Sequence, residues 1–312
     1  MASDPRPADG SSAEQRASDR GSSHPRSAGT PVALTIAGSD SGGGAGIQAD
    51  LKAFARCGVH GTSAITAITA QNTVGVSAIH PVPPEIVLAQ VRAVVRDIGV
   101  DAVKVGMLGT AEMALAVARA LDELPPQTPV VVDPVMVAES GARLLDPDAQ
   151  GALVAEILPR ATVLTPNLPE ARALAGLEAE QGEAEGDETG EREAEELARA
   201  MLALGPRVVV LTGGHRPRAV DLFLARAPSG PPDGGPIVEI PGERHPDGAA
   251  HGSGCTHSSV LAAQLALGKT PLQAARVARM LAGEAVAHGL RDIGAGAGPV
   301  DVLGLAARRG MA

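Results

Sequence analysis

Six short apolar runs, each closing on a glycine or a polar residue, restrict most severely how this chain can fold. They cover residues 32–37, 62–69, 102–105, 130–132, 162–164 and 208–211, and helical spacing fills the intervals at 45–56, 84–98, 111–121, 147–158, 169–175 and 193–204. Val/Ile-rich runs that alternate with helices mark a buried, mostly parallel sheet with helices on both faces, an α/β fold with right-handed crossovers. A strand pair at 219–225 and 236–240 and two helices, 255–267 and 270–289, complete the pattern. No repeat of 20–50 residues is present.

In such sheets ligands sit beyond the carboxyl ends of the strands. The polar residues cluster at those exits: Gly38-Ser39-Asp40, Gln71-Asn72, Gly106-Met107, Asp133, Asn167 and Gly213-Gly214. Six such exits together weigh more than any one of them.

The richest segment is His251-Gly252-Ser253-Gly254-Cys255-Thr256, which runs into an apolar helix. Its glycines permit a tight turn. The helix start offers unpaired N–H groups and a positive dipole end, which suit an anion. A thiol there is expected to have a depressed pKa and thiolate character near neutrality. The plainer alternative is a glycine turn before a core helix with an inert cysteine.

Ser41-Gly42-Gly43-Gly44-Ala45-Gly46 follows the first strand and opens a helix, but Ile47 stands where a dinucleotide-binding fingerprint needs its third glycine. Gly268-Lys269-Thr270 is no phosphate loop, because Ala263 replaces the upstream glycine; Gly268 reads as a helix C-cap and Thr270 as the next N-cap. Asp133, and Asn167 with Glu170 three residues on, could meet a hard cation beside a nucleotide, or be an Asx turn and a helix-start acid. Gln71 offers an acceptor and donors side by side, matching a ring nitrogen and amine of a 4-aminopyrimidine. His257 reads as a surface or outer-layer group, since the histidines show no metal-ligand spacing.

The chain has 312 residues, enough for one large core. It lacks Trp and Tyr and has two Phe, which disfavours stacking on single-stranded nucleic acid. No apolar run reaches membrane-spanning length. Cys57 and Cys255 are the only cysteines, so a reducing cytoplasm fits best. Of the net charge of −10, most lies in 178–196, where ten acids face Arg192 alone. Residues 1–30 read as a disordered tail, 31–312 as the folded domain, and about 178–192 as an acidic insertion.

Residues 36–52 (IAGSDSGGGAGIQADLK) closely resemble the opening of the hydroxymethylpyrimidine/phosphomethylpyrimidine kinases of thiamine biosynthesis. So do 65–73 (ITAITAQNT), 104–108 (KVGML), 133–136 (DPVM), 165–170 (TPNLPE), 213–215 (GGH) and 251–256 (HGSGCT). The resemblance implies a ribokinase-like three-layer α/β/α sandwich. It also implies transfer of the ATP γ-phosphoryl group, with Mg²⁺, to 4-amino-5-hydroxymethyl-2-methylpyrimidine and then to its monophosphate.

The resemblance assigns Gln71, Asp50, Gly38, Ala45 and Met107 to the pyrimidine. It assigns Cys255, Gly252 and Gly254 to transfer; Asn167, Glu170, Thr212 and Gly214 to the nucleotide; and Asp133 and Glu170 to the metal. It also implies a homodimer, while the composition leaves no expected nucleic-acid or membrane partner. Many family members carry Lys where Thr212 stands and some where Glu139 stands. With only Lys52, Lys104 and Lys269 present, the phosphate charge is expected to fall to Mg²⁺, backbone amides or Arg. A pyridoxal kinase, a silent pyrimidine sensor and a generic sugar kinase are the alternatives. Gln71 with Met107, the intact Cys255 loop with Asp133, and the lack of Asp at 255 speak against them in turn.

Overall fold

The computed structural model describes residues 29–138, 141, 144–177, 187–215, 218–226 and 234–309. The expected tail (apart from Gly29 and Thr30), Glu139, and 178–186 of the acidic segment lie outside these. Pro31–Ala312 forms one compact unit.

Among the described residues nine strands make a single sheet: β1 (Val32–Asp40), β2 (His60–Gln71), β3 (Val76–Pro81), β4 (Ala102–Val105), β5 (Val130–Val132), β6 (Val163–Leu164), β7 (Val208–Leu211), β8 (Val220–Ala225) and β9 (Val238–Pro241). Their spatial order is β3-β2-β1-β4-β5-β6-β7-β8-β9. The six strands from β2 to β7 are parallel. β3 at one edge and β8–β9 at the other are antiparallel.

Successive side chains of a strand face opposite ways, and here they feed two cores. Leu34, Val103, Val105, Val130, Val132, Leu164 and Val209 face one. The helices on that side are α2 (Pro84–Asp97), α3 (Ala111–Asp122), α4 (Pro147–Ala152), α5 (Leu168–Leu174) and α6 (Asp187–Ala203). Ala33, Ala102, Val131, Val163, Val208 and Val210 face the other, packed on α1 (Gly46–Arg56), α7 (Ser253–Ala266) and α8 (Pro271–Ala287). A last short helix, α9, spans Leu305–Arg309.

The expected elements are all present, with three differences. β3 and α9 carry too few buried residues to announce themselves. The expected helix 147–158 stops being regular after Ala152, passing through a π turn at Leu153–Ile157 and a 3₁₀ turn at Leu158–Arg160, because Pro159 supplies no N–H. α6 begins at Asp187 rather than 193. The two caps hold: Gly268 has φ +79°, and Thr270 caps α8 through the amide of Gln273.

Candidate active site

The carboxyl ends of the parallel strands open into one cavity of about 480 Å³. Strand order sets out its lining. Gln71, Gly38–Asp40 and Met107 leave β2, β1 and β4; Asp133, Asn167 and Thr212–Gly214 leave β5, β6 and β7. α7 packs across β1, β4 and β5 and brings Gly252, Gly254 and Cys255 to the middle of this series.

Asp40 ends β1, and its carboxylate shapes the glycine-rich loop. It accepts from the amides of Gly42 (2.8 Å), Gly44 (3.0 Å) and Ala45 (2.8 Å) and lies 3.0 Å from His251 Nε2. Burial opposes its charge, but the bonds from His251, Ala45 and Gly42 outweigh that and hold its carboxyl below the usual range.

Cys255 lies in the first turn of α7, entered through Gly252 at φ +85°. A Cβ at Gly252 would stand 1.8 Å from the Gly44 carbonyl oxygen, so only glycine fits. The backbone N–H of Gly46, which opens α1, donates to the Cys255 sulfur. Two helix starts therefore converge on the thiol. Even so, the expected thiolate is not there. Burial first, then Asp133 and Asp50, push the thiol up to about 12, against Lys104 and the Gly46 amide. The dipole argument omitted those two carboxylates and the loss of water.

Asp50 also departs from expectation. It is fully buried and lies outside the cavity lining. Its carboxylate accepts from Thr35 Oγ1 (2.6 Å) and Ser259 Oγ (2.6 Å) and pairs with Lys104 Nζ at 3.1 Å. Lys104, equally buried, stands 3.8 Å from Asp133 and reaches the lining in its place. Burial alone would lower the Lys104 pKa, yet Asp50, Cys255 and Asp133 hold it above its ordinary value. A cation of the protein thus sits beneath the site, where sequence reasoning left only Mg²⁺, amides or Arg. Lys52 is engaged elsewhere, donating to Gly43 O at 2.6 Å.

Asp133 accepts from Ser258 Oγ at 2.9 Å, and burial raises its pKa. Glu170 is pushed up to about 8, by burial first and then by Asp133. It forms a reciprocal cap with Asn167 at the start of α5: Asn167 N–H donates to Glu170 Oε2 (2.9 Å), and Glu170 N–H to Asn167 Oδ1 (2.8 Å). The helix-start reading of both residues is realised, and both still line the cavity. Two carboxyls that oppose each other's ionisation are a donor set suited to a divalent cation. Among the described residues no three such groups gather into a preformed metal site.

At the β2 end, the Thr69 hydroxyl lies 2.8 Å from Ser39 O and 3.2 Å from Gln71 Oε1, steadying the carboxamide. Gly38 sits at a register shift between β1 and β2, and a Cβ there would come within 2.4 Å of Met107 Cε. At the β7 end, Thr212 N–H donates to Pro166 O (2.9 Å) and Gly213 N–H to Asp221 Oδ1 (2.8 Å). Asp221 also meets His257 Nε2 at 3.1 Å and Arg279 at 3.6 Å. His257 is therefore a buried partner of Asp221, not a surface group. His251, Lys104, Asp221 and Arg279 are site residues that sequence reasoning missed. Two of them had a signal: His251 as the first residue of the Cys255 loop and Lys104 as the first of the 104–108 segment.

Chains of known function match this arrangement. The family model described as phosphomethylpyrimidine kinase matches residues 40–301. The hydroxymethylpyrimidine/phosphomethylpyrimidine kinase of Rhizobium meliloti is 47% identical over 87% of this chain and 96% of its own length. Phosphomethylpyrimidine kinase from Clostridium difficile 630 superposes with a TM-score of 0.68 at 36% identity, covering 82% of this chain and all of that one. A Staphylococcus aureus pyridoxal kinase, solved with AMP-PCP and pyridoxal, reaches 0.74 at 32% identity over 88% of this chain and 94% of its own.

A three-layer α/β/α sandwich with one cavity at its strand exits, built like the solved kinases it matches, defines a kinase of the ribokinase-like class. Within that class the chain belongs to the phosphomethylpyrimidine kinase family. Its reaction is phosphorylation of hydroxymethylpyrimidine and of its monophosphate, in thiamine biosynthesis.

Proposed function

We propose that the phosphoryl donor is ATP and that the cavity divides along the strand order. Gln71, Gly38, Ala45 and Met107 hold the aminopyrimidine over β2, β1 and β4. Asn167, Glu170, Thr212 and Gly214 hold the nucleotide over β5 to β7. Asp133 and Glu170 hold Mg²⁺, which when bound neutralises phosphate charge. The amides of the turn at Gly252 and Gly254 receive the transferring phosphoryl. The observation that carries this reading is the placement of Cys255 between the two halves, on a helix that crosses β1, β4 and β5.

Phosphoryl transfer needs positioning and charge neutralisation more than covalent chemistry. Lys104 supplies fixed positive charge beneath the transfer point. The Cys255 sulfur, with Gly46 N–H at its back, accepts the hydrogen bond of the hydroxymethyl group and orients the attacking oxygen, whose proton passes to an oxygen of the transferred phosphoryl as the new P–O bond forms and the bond to the ADP oxygen breaks. In the second step the attacker is a phosphate oxygen that carries no such proton, so Cys255 matters less. Asp50 is the buried counter-ion of Lys104 and does not touch substrate.

We further propose that two copies pair through the β2–β3 end of the sheet. There Ile68 of β2 (53%) and Ile79 of the edge strand β3 (43%) leave large side chains in water. No helix among the described residues is long and apolar enough to cross a membrane, and two unpaired thiols suit a reducing cytoplasm.

The test is steady-state turnover with Mg²⁺–ATP, offering hydroxymethylpyrimidine, its monophosphate and pyridoxal side by side. Diphosphate formed from the free pyrimidine supports the reading. Preference for pyridoxal would keep the Cys255 argument and overturn the pyrimidine roles of Gln71 and Met107.

A further inference from the structure

The loop after β1 and the loop before α7 come from opposite ends of the chain and meet at three points. His251 Nε2 lies 3.0 Å from Asp40 Oδ2, with both side chains buried. Gly44 packs against the His251 ring, where a Cβ would come within 2.1 Å of Cδ2. Gly252 lies against the Gly44 carbonyl, as described above. The histidine is itself anchored from behind, since its carbonyl accepts from Val300 N–H at 3.1 Å. The same Asp40 carboxylate orders the amides of Gly42, Gly44 and Ala45. A single carboxylate therefore fixes the loop beside the pyrimidine half of the cavity and also the residue that leads into the phosphoryl cradle.

We infer that His251 is a positioning residue for both phosphorylations, acting through Asp40. It does not make either half of the cavity. It fixes the distance between them, and so the distance between the acceptor oxygen and the transferring phosphoryl. In-line transfer is steep in that distance, and a misplacement of about 1 Å costs on the order of a hundredfold in rate. Each half-site keeps its own contacts when the tie is cut, so binding of each substrate alone changes little. The two reactions share one transfer point, so both slow alike. The inference rests on the proposed placement of transfer at the Gly252–Cys255 turn.

The experiment compares the wild-type enzyme with His251→Ala, His251→Gln, Asp40→Asn and the double variant His251→Ala/Asp40→Asn. It measures kcat and KM for both pyrimidine substrates, with melting temperature as a fold check. His251→Ala is expected to lower kcat of both steps by roughly 10- to 100-fold, with KM values within about threefold. His251→Gln, which can still donate to Asp40, is expected to recover most of the rate. The double variant is expected to be no slower than the worse single one, because the two residues act as one unit.

A rise in KM with kcat preserved would overturn the inference, as would a Gln variant no faster than the Ala variant at equal melting temperature. If His251→Ala melts too low to assay, His251→Gln decides, assayed below its own melting temperature: a kcat near wild type for both steps supports the inference, and a raised KM with kcat preserved overturns it. Failure of the wild type to phosphorylate either pyrimidine would instead sink the underlying functional reading.

Discussion

The amide of Gly46 points at the sulfur of Cys255, so residues 209 positions apart place two helix starts on one thiol. Such a site normally makes a thiolate. Here burial, helped by the carboxylates of Asp133 and Asp50, outweighs Lys104 and the Gly46 amide and pushes the thiol up to about 12.

Cys255 should therefore alkylate slowly at neutral pH. Its labelling by iodoacetamide, followed by peptide mass spectrometry, should keep rising through pH 10, in step with a pKa near 12. Fast labelling at pH 7 would contradict the assignment. In separate assays, Cys255→Ala should slow the first phosphorylation more than the second; equal losses would remove the proposed hydrogen bond to the hydroxymethyl group.

Glu170 gives the apoprotein an unusual pH response. Its folded pKa of about 8 lies above the ordinary 4.5, so in that window the folded chain holds a proton that the unfolded chain has lost. Stability must then fall as pH rises from about 4.5 to 8, and the raised pKa of Asp133 adds to the same slope. Thermal unfolding across that range should show the decline, and Glu170→Gln should flatten it. Added Mg²⁺ with ADP should restore stability at the alkaline end, by binding the ionised pair.

Lys104→Met removes the cation between two buried carboxylates. The expected cost is about 3–5 kcal/mol, the usual penalty for leaving a buried charge unpaired, read as a fall in denaturation midpoint at constant slope. Adding Asp50→Asn should recover part of that stability. A single variant as stable as wild type would show that Asp50 or Asp133 is protonated in the folded chain.

Gly38→Ala places a methyl group where Met107 Cε now lies. Because methionine is flexible, the fold should lose less than about 1.5 kcal/mol. The displaced thioether should crowd the pyrimidine, raising KM for both pyrimidine substrates with kcat nearly unchanged. An unaltered KM would remove Met107 from the pocket.

Ile68→Glu should leave the monomer folded, since Ile68 is more than half exposed. Light scattering should then report half the wild-type mass at micromolar concentration. A wild type that is already monomeric would end the proposal of pairing through β2 and β3.

The parallel core was readable because its runs are apolar and each closes on a residue that no core would choose, such as Asp133 or Gly106. The cavity's outline was readable where those closing residues line it themselves, as at Gln71 and Thr212. It was not readable where function depends on pairing across distance. His251 and Asp40 lie 211 positions apart and Lys104 and Asp50 54 apart, and no local periodicity links them. For the same reason Asp50, sitting inside a conspicuous motif, reads like a substrate contact although it is a buried counter-ion. β3 escaped because all but one of its residues are exposed, so burial imposes no alternation on it.

Since neighbouring residues along each parallel strand serve opposite cores, a single inserted or deleted residue within one strand would swap every side chain beyond it between the two cores. In Val130–Val132 it would also turn Asp133 away from the cavity. Changes in length are thus confined to the connections, and the spacing from each strand to its closing residue acts as a fixed ruler for the chemistry.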